Sequence, residues 1–180
     1  MKVDWKNISL EDLAGLISGE LQNDGIELIL VGGACVTIYS KNRYQSYDLD
    51  FVTYEDLNKV KKSLEKLGFS YSSKYFSRQD CPWFIEFVSP PIAVGDEPIS
   101  KFSEHQTRMG TVTMLTATDA VKDRLASYYH WGDRQGLEQA IDICAEVTSV
   151  DLVEVKRWSI KEGFHKRYEE FIGLLKRHSQ

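Results

Sequence analysis

The chain contains few cysteines, and their positions carry no disulfide or metal-binding pattern. Only three are present among 180 residues, at Cys35, Cys81 and Cys144, and no two of them form a Cys-x-x-Cys pair. The four histidines are equally scattered, and no His-Glu-x-x-His sequence occurs. These absences argue against a disulfide framework and against a zinc site.

Long hydrophobic runs are also missing. The most apolar stretch, residues 26–39, is interrupted by Glu27 and by Gly32-Gly33, and it is too short to cross a bilayer. The first residues carry acidic side chains where a signal peptide needs an apolar core. We therefore expect a cytoplasmic protein with no membrane partner.

An excess of positive charge is absent as well. The chain has 22 basic and 27 acidic residues, a formal net charge of −5. This charge argues against a protein that binds nucleic acid mainly through its overall charge. Hydrophobic residues make up 42% and charged residues 27% of the chain, as in ordinary globular proteins, so we expect an ordered fold.

Hydrophobic periodicity divides the chain into a mixed α/β half and a helical half. Ser9 with Asp12, and Thr53 with Asp56, have the capping-box pattern that opens a helix. Strands are predicted at residues 26–31, 47–53, 69–71, 75–77, 83–88 and 111–115. From residue 118 onward the spacing is helical and predicts four helices. We therefore predict an α/β domain at residues 1–115 and a helical region at residues 116–180.

Asp48 and Asp50 are the first candidates for chemistry. They lie two residues apart on a predicted strand, so their side chains point to the same face. Two neighbouring carboxylates repel each other, and a hard divalent cation such as Mg²⁺, which prefers oxygen ligands, relieves that repulsion. The alternative is a solvated edge strand with two exposed acids.

Gly32-Gly33 and Glu86 add to this pattern. The glycine pair follows an apolar strand and precedes a short predicted helix, where backbone N–H groups can approach a phosphate; the alternative is a turn that needs a positive φ. Glu86 shares a strand face with Phe84 and Val88, where a charge is costly to bury unless it is paired or bound to metal. The alternatives are a wet face or a lysine partner.

Together these features resemble the nucleotidyltransferase superfamily of the DNA polymerase β type. That pattern is a strand, a Gly-Gly or Gly-Ser turn, a short helix, a strand with Asp-x-Asp and a third acid on a neighbouring strand. Residues 43–50, Arg-Tyr-Gln-Ser-Tyr-Asp-Leu-Asp, are similar to the form found in its abortive-infection toxin branch. The resemblance implies an α+β fold, with a short mixed β-sheet flanked by helices and a C-terminal helical bundle.

The resemblance also implies the roles of individual residues. Asp48, Asp50 and Glu86 would be the catalytic residues and would hold Mg²⁺ or Mn²⁺. A nucleoside triphosphate would be contacted by Gly32, Gly33, Arg43, Ser46, Lys122 and Arg124. For Arg43 the alternative is a salt bridge to one of the two aspartates, and for Lys122 and Arg124 it is an ordinary solvated helix face. Trp131 either packs over a joint between helices or stacks on a base.

The implied activity is metal-dependent transfer of a nucleotide monophosphate from the triphosphate to a hydroxyl acceptor. The acceptor would be RNA, a protein or a small molecule, in a system of the toxin–antitoxin type with an antitoxin-like protein partner. One alternative is a catalytically silent relative that acts as a binding or regulatory partner. Another is an unrelated α/β domain whose acids are merely exposed.

Overall fold

The computed structural model describes residues 3–178, which form nine strands and seven helices. The strands are β1 (Ile29–Val31), β2 (Asp48–Val52), β3 (Ser70–Ser72), β4 (Tyr75–Ser77), β5 (Phe84–Val88), β6 (Ala93–Val94), β7 (Glu97–Pro98), β8 (Phe102–Gln106) and β9 (Thr111–Leu115). The helices are α1 (Leu10–Asn23), α2 (Gly32–Tyr39), α3 (Leu57–Lys66), α4 (Ala117–Trp131), α5 (Arg134–Glu146), α6 (Leu152–Lys161) and α7 (His165–His178). None of these helices combines the length and the apolar character needed to cross a bilayer.

The chain divides into two units that alternate along the sequence. Among the described residues, the first unit comprises those up to Ala34, together with Ser46–Pro91 and Phe102–Met114. The second comprises Cys35–Gln45, Ile92–Lys101 and the residues from Leu115 onward. The predicted boundary between residues 115 and 116 stays a prediction.

The first unit contains a mixed seven-stranded sheet in the order β3-β4-β5-β2-β1-β9-β8. β2 runs antiparallel to β1 and parallel to β5, and β1 runs parallel to β9. One face of β2 carries the fully buried Leu49 and Phe51, and α1 packs against this strand. The sheet with its helices confirms the predicted α+β class.

Helices α1 and α3, which lie wholly within the first unit, begin at side-chain caps. The Ser9 hydroxyl accepts a hydrogen bond from the backbone N–H of Asp12, so the predicted start of α1 is confirmed. For α3 the predicted capping box was wrong, because the N-cap lies three residues further along the chain. Asp56 is itself the N-cap and accepts from the N–H of Asn58, whereas Thr53 accepts from the N–H of Glu55.

The second unit contains α4 to α7 and the small hairpin of β6 and β7. Its aromatic centre is Trp158, which donates a hydrogen bond to the Val94 carbonyl and stacks on Tyr129 at a centroid distance of 5.6 Å. Tyr129 in turn stacks on Phe164 at 4.9 Å. Trp131 is 85% exposed, so the expectation that it packs over a helix joint was wrong.

Two elements of the first half also differ from expectation. Helix α2 begins at Gly32 itself, although the glycine pair was predicted as a turn ahead of a helix. Strand β8 was missed because its residues, Phe-Ser-Glu-His-Gln, show no apolar alternation. It is the last strand in the sheet order, where backbone pairing suffices without a buried face.

Glu97 gives the second unit a predicted dependence on acid. Arg157 donates to both Glu97 carboxylate oxygens, at 2.9 and 2.6 Å, and Lys161 donates at 2.8 Å. These bonds lower the pKa of Glu97 from 4.5 to about 2. Because the folded pKa is the lower one, the stabilisation is present above pH 4.5 and is lost as the pH falls towards 2.

We expect Glu97→Gln to lower the melting temperature at pH 7 and to flatten its fall between pH 4.5 and pH 2, the interval set by the two pKa values. Thermal melts across this interval measure both effects. Glu138→Gln, at an exposed position of α5 in the same unit, is the control and should follow the wild-type curve. Parallel curves for Glu97→Gln and the wild type would contradict the prediction.

Candidate active site

Strand β2 holds two aspartates in fixed positions. Leu49 and Phe51 are fully buried on one face of the strand, whereas Asp48 and Asp50 are half-buried on the other. Because side chains alternate along a strand, burial of the apolar pair dictates where the two carboxylates point. Packing of Leu49 and Phe51 in the core therefore fixes the strand face on which Asp48 and Asp50 lie.

Strand β5 brings a third carboxylate to the same face. It runs parallel to β2, with Asp48 beside Phe84 and Asp50 beside Glu86. One carboxylate oxygen from each of Asp48, Asp50 and Glu86 lies within 4.8 Å of the other two. The structure therefore brings together the three acids that the sequence singled out, which we call the carboxylate triad.

The side chains of Ser46 and Lys74, both in the first unit, contact the triad. The Ser46 hydroxyl donates a hydrogen bond of 3.0 Å to Asp48. The Lys74 ammonium donates to both carboxylate oxygens of Glu86, at 3.1 and 3.2 Å. Contacts with Tyr75, which contribute most, and with Glu86 raise the pKa of Lys74, and its ammonium is charged at neutral pH. Glu86 thus has the lysine partner that the sequence left open, and it also lies beside the two aspartates.

The chemistry of the triad fits a hard divalent cation. All three donors are carboxylate oxygens, the ligand type that Mg²⁺ and Mn²⁺ prefer. At an effective dielectric constant of 20, two unit charges about 4.8 Å apart repel by roughly 3 kcal/mol. Lys74 places a positive charge at Glu86, and a bound dication would relieve the repulsion further.

Gly32 places the backbone directly against the triad. Its φ is +67°, and a Cβ at this position would lie 2.6 Å from the Asp50 Oδ2 atom. Glycine is therefore required here for two reasons, the left-handed backbone and the space taken by the carboxylate. The positive φ that the sequence left open is present, and it lies beside Asp50 at the start of α2.

The second unit contains the three basic residues expected to contact a nucleotide. Arg43 donates to Glu146 at 2.7 Å. The alternative expected for Arg43, a salt bridge to Asp48 or Asp50, was therefore wrong, because its ion pair is with Glu146. Glu146 follows Arg43 by 103 residues, a distance at which sequence patterns predict no partner. A phosphate contact for Arg43 stays a prediction.

Lys122 and Arg124 lie on α4. Lys122 is 6% exposed and pairs with Glu154 at 2.7 Å and with Asp119 at 3.3 Å, so the solvated-face alternative was wrong for it. The Arg124 side chain is also mostly buried, and its Nε donates to Asp123 at 3.0 Å. Nucleotide contacts for both residues stay predictions.

Sequence reasoning missed Lys74, because its role depends on strand register. β4 runs antiparallel to β5 and places Tyr75 beside Glu86, and Lys74 precedes Tyr75 in the chain. Lys74 lies in the turn between β3 and β4, next to Ser73 with its φ of +58° and immediately before β4. Nothing in the sequence showed that this strand would join β5.

No protein-family model matches the chain, and no curated protein matches its sequence. Solved structures do match its coordinates. An antigenic nucleotidyltransferase-like protein from Paracoccidioides brasiliensis superposes with a TM-score of 0.58 at 14% identity, covering 78% of each chain. The chain has the nucleotidyltransferase fold. The antibiotic-resistance factor ANT(2'')-Ia superposes in two structures, one in solution and one a crystal structure with adenylyl-2''-tobramycin.

The likeness to ANT(2'')-Ia extends over most of both proteins. The solution structure gives a TM-score of 0.54 at 14% identity and covers 94% of this chain and 96% of the other. The crystal structure gives 0.56 at 13% identity and covers 85% and 95%. At such identities the comparison establishes the nucleotidyltransferase fold, and the chemistry of this chain has to be argued from its own residues.

Comparison of Gly32→Ala with Gly25→Ala should distinguish the effect of backbone strain from the effect of displacing Asp50. A left-handed alanine costs roughly 1–2 kcal/mol of stability, which applies equally to Gly25→Ala, where φ is +72° and no atom lies within 4 Å of the added Cβ. Only Gly32→Ala also displaces Asp50. We expect similar melting temperatures for the two variants, but Mn²⁺ binding at least about tenfold weaker in Gly32→Ala.

Calorimetric titration with Mn²⁺ measures the difference between the two glycine variants. Equal Mn²⁺ affinity in Gly32→Ala and Gly25→Ala would show that Asp50 does not need the space that Gly32 leaves.

Proposed function

We propose that this protein is a metal-dependent nucleotidyltransferase that moves a nucleotide monophosphate from a nucleoside triphosphate to a hydroxyl acceptor. The observation that carries the proposal is the carboxylate triad, three acids from two neighbouring strands with oxygens within 4.8 Å of one another. The glycine turn at Gly32 and the nucleotidyltransferase fold support it.

Each candidate site residue has a distinct part in this proposal. Asp48, Asp50 and Glu86 would hold Mg²⁺ or Mn²⁺, which would supply Lewis-acid stabilisation of the reacting oxygens. The backbone N–H groups of Gly32 and Gly33 at the start of α2 bind phosphate oxygens. Ser46 orients Asp48 through its hydrogen bond and is also proposed to contact the nucleotide. Arg43, Lys122 and Arg124 are proposed as further contacts to the triphosphate.

The reaction is an in-line displacement at the α-phosphorus. The acceptor hydroxyl oxygen forms a bond to the α-phosphorus, and the bond from that phosphorus to the bridging oxygen of the β-phosphate breaks. Pyrophosphate leaves with the bonding electron pair, and the hydroxyl proton is released to solvent.

The acceptor is proposed to be a hydroxyl of RNA, of a protein or of a small molecule. The ANT(2'')-Ia complex contains adenylyl-2''-tobramycin, which makes a small-molecule hydroxyl one of these candidates. The similarity of residues 43–50 to the toxin branch supports a toxin–antitoxin type of system with an antitoxin-like partner.

A specific observation favours a second candidate, a catalytically silent protein that acts as a binding or regulatory partner. The Lys74 ammonium contacts both oxygens of Glu86, where a metal ligand is needed. If Lys74 keeps this position in the presence of Mg²⁺, the triad holds no complete metal site. Release of pyrophosphate from a nucleoside triphosphate distinguishes the enzyme from the silent protein.

Asp50→Asn should abolish transfer while leaving the fold intact. The carboxamide has nearly the same shape but lacks the charge that holds a divalent cation, so we expect at least about a hundredfold loss of activity. The melting temperature in metal-free buffer should not fall, since one repulsive charge is removed. Incorporation of labelled nucleotide in a cell extract, measured beside the melting temperature, tests both parts.

Asp56→Asn is the matched control. It also removes a carboxylate from the first unit, but asparagine replaces aspartate well as the N-cap of α3. It should keep full activity. Full labelling with Asp50→Asn would remove Asp50 from the mechanism, and a large fall in its melting temperature would make Asp50 a structural residue. An unlabelled extract with the wild type would favour the silent protein.

A further inference from the structure

Two aromatic rings lie on the sheet face that carries the triad. Phe84 is two residues from Glu86 on β5 and is the register partner of Asp48, and Tyr75 on β4 is the register partner of Glu86. Their ring centroids are 6.0 Å apart, and Phe84 is 48% exposed. We call Phe84 and Tyr75 the aromatic pair.

The sheet order places the aromatic pair and the glycine turn on opposite sides of the two aspartates. The strands run β4-β5-β2-β1, with Tyr75 on β4, Phe84 and Glu86 on β5, and Asp50 on β2. Gly32 follows β1, and a Cβ at Gly32 would lie 2.6 Å from Asp50. The glycine turn therefore lies on the β1 side of the aspartates, and the aromatic pair lies on the β5 side, together with Glu86.

An in-line displacement needs its attacking and leaving groups on opposite sides of the reacting phosphorus. If the leaving phosphates lie at the glycine turn, the attacking hydroxyl arrives from the side of Glu86. We propose that the aromatic pair is the acceptor site and that it binds an acceptor nucleotide by stacking on its base. This inference rests on the proposed function and adds the chemical class of the acceptor.

The chemistry around the aromatic pair favours a nucleotide over a polycationic sugar. Base–aromatic stacking is strong and tolerates any base, because every base presents a flat π face. The Lys74 ammonium lies 4.7 Å from the centroid of the Tyr75 ring, and its side chain is 60% exposed. The Lys74 ammonium would attract the phosphate of a stacked nucleotide. It would repel the ammonium groups of an amino sugar.

A nucleotide acceptor is either a free nucleotide or the terminal nucleotide of an RNA, and two probes distinguish these sources. The full chain is saturated with Mg²⁺ and an α,β-methylene nucleoside triphosphate, which occupies the donor site without reacting. It is then titrated with adenosine monophosphate, with a short oligoriboadenylate and with tobramycin. Calorimetry gives the dissociation constant of each probe for the wild type and each variant.

Phe84→Ala should weaken binding of the nucleotide probe about five- to a hundredfold, as expected for one lost stack. Phe84→Leu should weaken it nearly as much, because leucine keeps the apolar surface but not the ring. Phe84→Trp should restore it. Tyr54→Ala, which removes a 72% exposed aromatic ring elsewhere in the first unit, is the matched control and should bind like the wild type.

Several results would overturn the inference. These are equal nucleotide affinity in Phe84→Ala and the wild type, full binding by Phe84→Leu, or tighter binding of tobramycin than of either nucleotide probe. Loss of a dimer in Phe84→Ala with unchanged nucleotide affinity would assign the ring to a contact between copies. Binding of the methylene analogue with Mg²⁺ tests the proposed function separately, since Phe84 takes no part in it.

Discussion

Repulsion among three carboxylates is the constraint on which the site depends. Asp48, Asp50 and Glu86 are held with oxygens within 4.8 Å of one another because the opposite faces of their strands are buried in the core. Burial of Leu49, Phe51 and Ile85 supplies the free energy that offsets this repulsion. A divalent cation bound among the three carboxylates would relieve this repulsion.

The neighbours of the triad follow from the same constraint. Lys74 supplies one positive charge at Glu86, Ser46 supplies a hydrogen-bond donor at Asp48, and Gly32 leaves space for Asp50. On the β5 side of the two aspartates, Phe84 is 48% exposed and packs beside Tyr75. In the proposed reaction the leaving phosphates would lie on the side of Gly32, and the acceptor would lie on the side of the two rings.

The sequence pattern predicted those parts of the site that depend only on residues close together in the chain. Alternation along residues 48–52 and 84–88 placed Asp48, Asp50 and Glu86 each on a definite strand face, and the capping box at Ser9 opened α1. Strand register and long-range ion pairs were beyond such reasoning. The Lys74–Glu86 pair depends on β4 joining β5, and Arg43 meets Glu146 across 103 residues.

The central claim is that the carboxylate triad binds a divalent cation, and anomalous X-ray diffraction from crystals soaked in Mn²⁺ tests it most directly. We expect an anomalous peak with oxygens of Asp48, Asp50 and Glu86 at about 2.0–2.3 Å from it, and Lys74 displaced from Glu86. Crystals with Mn²⁺ bound elsewhere and Lys74 still on Glu86 would contradict it.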